Sequence, residues 1–92
     1  MAMPLHVTEA EAAVLMLQRK RAALVSKGRE LADERVSTTI SAQCYEPGAR
    51  HRLREINSAL AVIEAEMRNI NCALEEARKR LTLAQAQQGE AA

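Results

Sequence analysis

The chain has 92 residues, 13 basic against 12 acidic, and one aromatic residue, Tyr45. That length allows one domain, and the near balance of charge argues against a nucleic-acid binder driven by overall charge. With no Trp or Phe, a compact core resting on aromatic area is excluded. Leu, Ile, Val, Met and Ala must form the interior instead, a composition suited to long helices in close contact.

Cys44 and Cys72 are too few for a disulfide framework and fit a reducing compartment. The longest apolar run, Ala12 to Leu17, is far below membrane-spanning length. Charge precedes the apolar run as Glu9 and Glu11 rather than as a basic region, so no secretory leader is expected. These features point to a soluble, cytoplasmic protein. The excess of Arg over Lys is compatible with a GC-rich bacterial genome.

Residues 1–7 read as an arm, with Pro4 opposing a helix. Thr8-Glu9-Ala10-Glu11 has the capping-box pattern: Thr8 can accept from the Glu11 amide while the Glu11 side chain reaches back. Helix 1 is therefore expected over residues 8–45. Val7, Ala10, Val14, Leu17, Leu24, Val25, Gly28, Leu31, Ala32, Val36, Thr39 and Ile40 fall on one broad side. Val14, Val25 and Val36 stand eleven apart, which drifts against a strict heptad, and Arg21 and Arg35 interrupt that side with heads expected to reach water. Val36-Ser37-Thr38-Thr39-Ile40-Ser41 weakens the helix, because hydroxyls compete for backbone partners; continuation through it is the expectation. Glu46-Pro47-Gly48 is the internal breaker. Pro47 pushes Glu46 out of helical geometry, and Gly48 can take a positive φ.

Helix 2 is expected over residues 49–87, with 88–92 as a frayed tail. Its first apolar residues open the most specific feature of the chain: Leu53, Ile56, Leu60, Ile63, Met67, Ile70, Leu74, Ala77, Leu81 and Ala84 alternate three and four apart without a break. A mean spacing of 3.5 keeps one side of a helix facing a partner helix as both supercoil. Ala59 and Ala73, at the flanking g positions, widen the strip beyond a two-stranded seam and favour a bundle.

A short breaker between long helices makes them antiparallel neighbours. Folding about Pro47-Gly48 pairs residues whose numbers add to about 95: Met67 with Gly28, Ile63 with Ala32, Ile70 with Val25, Leu81 with Val14. The same register sets Arg19, Lys20 and Arg21 near Glu75 and Glu76, and Arg29 near Glu64 and Glu66. A two-helix layer buries one stripe per helix against a large ordering entropy, so a partner is required. The simplest is a second copy, giving a homodimeric four-helix bundle; a helical protein partner is the other. The expected interface is Leu53, Ile56, Leu60, Ile63, Met67, Ile70, Leu74 and Leu81 with Val14, Leu17, Leu24, Val25 and Leu31.

Catalytic groupings are lacking. There is no Gly-rich phosphate loop, HExxH or GxSxG, and His6 and His51 have no companions at metal spacing. Cys44 and His51 flank the turn and could approach each other as a nucleophile pair or half a metal site, but a weakly buried thiol beside a surface imidazole is the plainer reading. No cofactor, no metal and no enzymatic activity are expected. Arg19, Lys20 and Arg21 with Arg78, Lys79 and Arg80 gather toward the open end of the hairpin and offer phosphate contacts, but no aromatics are present for stacking on bases. The reading is an all-α antiparallel hairpin that self-associates as a structural or interaction module, or holds a partner helix as an adaptor or chaperone. A nucleic-acid accessory role through the basic clusters is the alternative; a membrane role is not expected.

Overall fold

The computed structural model describes residues 5–91, with side chains described for residues 7–89. Two helices, α1 (Leu5–Gln43) and α2 (Ala49–Ala91), pack against each other as a hairpin. Contacts divide the chain into two compact units, Ala22–Met67 around the bend and Met1–Arg21 with Arg68–Ala92. Each unit takes one stretch from each helix.

The helix bounds differ from the sequence expectation at both ends. Helix α1 begins at Leu5, so Thr8 lies inside it rather than at its cap. First-turn amides have no intrahelical acceptor in any case, and a proline just upstream does not oppose a start there. The expectation for residues 1–4 lies outside the described residues. Helix α2 continues through Gly89 to Ala91; Ala, Gln and Glu favour the helix, and one glycine costs only about 1 kcal/mol.

Helix α1 also runs through the hydroxyl-rich stretch to Gln43. Thr39 Oγ1 donates to the Arg35 carbonyl at 2.7 Å and Ser37 Oγ to the Glu34 carbonyl at 3.1 Å. The hydroxyls are thus satisfied within the helix instead of unwinding it.

The bend is a Schellman closure. The Glu46 amide donates to the Ser41 carbonyl at 3.0 Å and the Tyr45 amide to the Ala42 carbonyl at 3.1 Å, the paired bonds that satisfy the last carbonyls of a helix. Such a closure needs a left-handed residue, usually glycine; here it is Tyr45, at φ 59°. Gly48 takes φ 79°, and its carbonyl accepts the first α2 hydrogen bond, from the Arg52 amide at 3.0 Å.

Two observations set the register. A Cβ added to Gly28 would lie 3.8 Å from Ile63 Cγ2, and Arg21 Nε donates to Asn71 Oδ1 at 3.0 Å. The first pair adds to 91 and the second to 92. The expected register of about 95 is therefore too high, and Gly28 faces Ile63 rather than Met67. The cause is the position of the bend. Helix α1 ends at Gln43 and α2 starts at Ala49, so the reversal is centred on Glu46, not between Pro47 and Gly48.

With 1.5 Å of rise per residue in both helices, this register puts Leu31 at the level of Leu60 and Leu24 at the level of Met67 in the bend unit. It puts Leu17 at the level of Leu74 and Val14 at the level of Ala77 in the other. All ten residues of the α2 row are buried or half-buried, Ile56 completely.

Helix α1 carries a matching row that the valine spacing conceals: Val7, Ala10, Val14, Leu17, Leu24, Gly28, Leu31, Thr38 and Ala42 are all buried or half-buried. Arg21 and Arg35 occupy the two gaps in its three-four alternation and are exposed. Val25, Ala32 and Thr39 flank the row half-buried. Val36 and Ile40, expected on the same side, are instead 63% and 57% exposed. An eleven-residue spacing carried Val36 off the seam, which follows the heptad.

Candidate functional site

A groove of about 820 Å³ lies in the unit formed by Met1–Arg21 and Arg68–Ala92. It lies along one side of the α1–α2 seam. Ala10 and Ala13 on α1, with Ala73, Ala77 and Ala84 on α2, keep it shallow-walled, and Leu17 and Leu83 add the larger apolar surfaces. Glu9, Glu76, Arg80 and Gln87 edge it with polar groups. Its composition follows from the heptad. Ala73, Glu76, Arg80 and Leu83 form a second strip at alternating three and four spacing beside the core row, at flanking positions that face the same side as Ala13 on the antiparallel neighbour.

Apolar surface remains exposed at the groove and elsewhere on the two helices. Leu83 is 63% exposed, although a leucine gains roughly 1.5–3 kcal/mol when fully buried. Leu15, Met16 and Val62 are also among the exposed large apolar residues. Ala59, expected to widen the strip, is half-buried, whereas Ala73 is exposed and lines the groove.

The basic residues are arranged differently from the sequence expectation. Arg19, Lys20, Arg21, Arg78, Lys79 and Arg80 are all exposed and all in one unit. The register sets the first cluster level with residues 70–73, so the two clusters stand about 11 Å apart along the helix direction. Glu75 and Glu76 do not reach Arg19–Arg21. They pair within α2, Glu75 with Lys79 at 3.6 Å and Glu76 with Arg80 at 3.9 Å. Arg21 bonds Asn71 instead. No pairing of Arg29 with Glu64 or Glu66 forms among the described residues.

Among the described residues, the charged contact that joins α1 to α2 is in the bend unit. Arg52 Nε donates to Glu34 Oε1 at 2.6 Å, and Arg52 Nη2 approaches the same oxygen at 2.6 Å. The Arg52 hydrogen bond holds the Glu34 carboxyl below its ordinary range, and the same bond raises the Arg52 guanidinium. Glu55 adds a weaker contact to Arg52 at 3.8 Å.

A smaller hollow of about 330 Å³ lies at the bend, between Tyr45, Glu46 and the polar side chains of Arg50, His51 and Arg54. His51 pairs with Glu55 at 3.2 Å on its own helix. Cys44 and Cys72 are both free and exposed, so Cys44 is not the weakly buried thiol expected at the turn. Among the described residues no three His, Cys, Asp or Glu side chains gather as metal ligands; the His6 side chain lies outside them. No helix of the described residues is long and apolar enough to cross a membrane.

Comparison with protein-family models, curated proteins and solved structures gives no match.

Proposed function

We propose that this chain is a non-enzymatic interaction module that associates with itself, two hairpins completing a four-helix bundle in the cytoplasm. The observation that supports this most directly is the partial burial of its own core row. Leu53, Leu60, Ile63, Met67, Ile70 and Leu81 are only half-buried when the chain is alone. A helix pair covers one stripe of each helix, and a further layer is the general way such a stripe is fully removed from water. The exposed Met16, Val62 and Leu83 are further apolar area left in contact with water.

The reading gives a measurable outcome. Light scattering on the purified chain should report twice the mass of the 10.1 kDa protomer, concentration-dependent at the low end. A monomer at all accessible concentrations sinks the self-association reading and leaves a helical protein partner as its replacement. The polyanion reading is less well supported, because Lys79 and Arg80 already face carboxylates and the two clusters do not share a level. Salt-dependent binding of generic duplex DNA at low ionic strength would revive it.

A further inference from the structure

Self-association by itself leaves the face unassigned; the following rests on that reading and names the face. We propose that the groove beside Leu83 receives α2 of a second copy, antiparallel, about a two-fold axis at the level of residue 78. The face is self-complementary. A two-fold interface brings residue i of one copy to residue j of the other, and j to i.

Ala73 and Leu83 are centred on residue 78, and so are Glu76 and Arg80. All four line the same groove. An antiparallel α2 about that centre therefore sets Leu83 of each copy over Ala73 of the other, a large side chain against a small one. It sets Glu76 of each copy against Arg80 of the other, so two opposite-charge pairs flank the axis. The alanines on the α1 side of the groove, Ala10 and Ala13, leave room for a helix backbone to approach. Glu76 and Arg80 already stand 3.9 Å apart along their own helix, so the two copies assemble a ring of four alternating charges. An arrangement centred two residues away loses this match: centred on residue 80, it sets Arg80 of one copy against Arg80 of the other and Glu76 against Ala84.

Charge reversal separates this face from every other. Glu76→Arg gives a chain with arginine at 76 and 80; Arg80→Glu gives one with glutamate at both. Each alone sets like charges across the axis, and its self-association should weaken by at least about tenfold at low salt. Mixed in equal amounts, the two variants should form a heterodimer with affinity restored to that of the unsubstituted chain. Changes within a single helix cannot produce rescue on mixing.

Should either variant fail to fold by circular dichroism, a second test stands. With Cys44 and Cys72 changed to Ser, Ala73→Cys and Leu83→Cys in one chain should oxidise to a covalent dimer. The two positions on one helix are about 15 Å apart, too far for an internal bond. An unsubstituted chain that dimerises, with neither preferential mixing nor cross-linking, overturns this face and leaves self-association intact. An unsubstituted chain that stays monomeric overturns both.

Discussion

Tyr45 shows how one residue can work against the bend it completes. The left-handed conformation costs an L-residue with a side chain roughly 1–2 kcal/mol, and this side chain is 83% exposed, so it recovers little through contact. Tyr45→Gly should raise stability by roughly 0.5–1 kcal/mol after the extra unfolded-state freedom of glycine is discounted. Urea unfolding at unchanged m-value measures it; a lowered midpoint would mean the tyrosine makes a contact that outweighs its backbone. Gly28 is the reverse case. A glycine on the helix seam suggests close approach, but an added methyl would meet Ile63 Cγ2 at an ordinary 3.8 Å. Gly28→Ala should therefore stabilise the chain by about 1 kcal/mol through helix propensity. A fall in melting temperature would show that the helices cannot hold that separation.

At the scale of elements, the α2 row was legible because nothing interrupts its alternation, and the positions from Leu53 to Ala84 are the ones withdrawn from water. The α1 row was not, because arginine fills two of its seam positions and glycine and threonine fill others. A reading by apolarity loses the period there; a reading by spacing alone would have kept Thr38 and dropped Val36. The bend was placed by Pro47-Gly48, yet its geometry is set two residues earlier by the Schellman bonds around Tyr45, and no propensity rule selects tyrosine for that role. The resulting shift moved each cross-helix pairing by about one turn, which is why Arg21 meets Asn71 and not Glu75.

The Glu34–Arg52 contact gives the two helices a pH-dependent link. The Glu34 carboxyl is held below its ordinary value in the fold, so the ionised form is the one the folded chain favours. Its contribution is complete above the ordinary glutamate value and is lost as pH falls through the depressed one. Arg52 stays protonated throughout. Melting curves of the native chain and of Glu34→Gln, taken from about pH 7 to about pH 3, should show a small advantage for the native chain that vanishes at the acidic end. An advantage that persists in acid would assign it to packing of the side-chain stem.

For the whole molecule, composition limits what the chain can be on its own. Among the described residues only six apolar side chains count as buried, and three of them are alanines. Under the proposed self-association a second copy completes that aliphatic area, and the groove edged by Glu76 and Arg80 has charges of both signs at its rim to orient it. The candidate face was only half legible beforehand. Ala73 was singled out as widening the strip, but Leu83 was not, since it lies off the core row and acquires meaning only once the antiparallel register shows which flank it shares with α1.

Among the described residues, the spacing of two polar cross-helix contacts bears on how the chain closes. Glu34 and Arg52 are 18 residues apart in sequence, Arg21 and Asn71 50. Loop-closure entropy grows with the logarithm of that separation, so making the longer contact first costs about 0.9 kcal/mol more than making the shorter one. The hairpin is cheapest to zip from its bend toward its free ends, each turn shortening the distance the next must search.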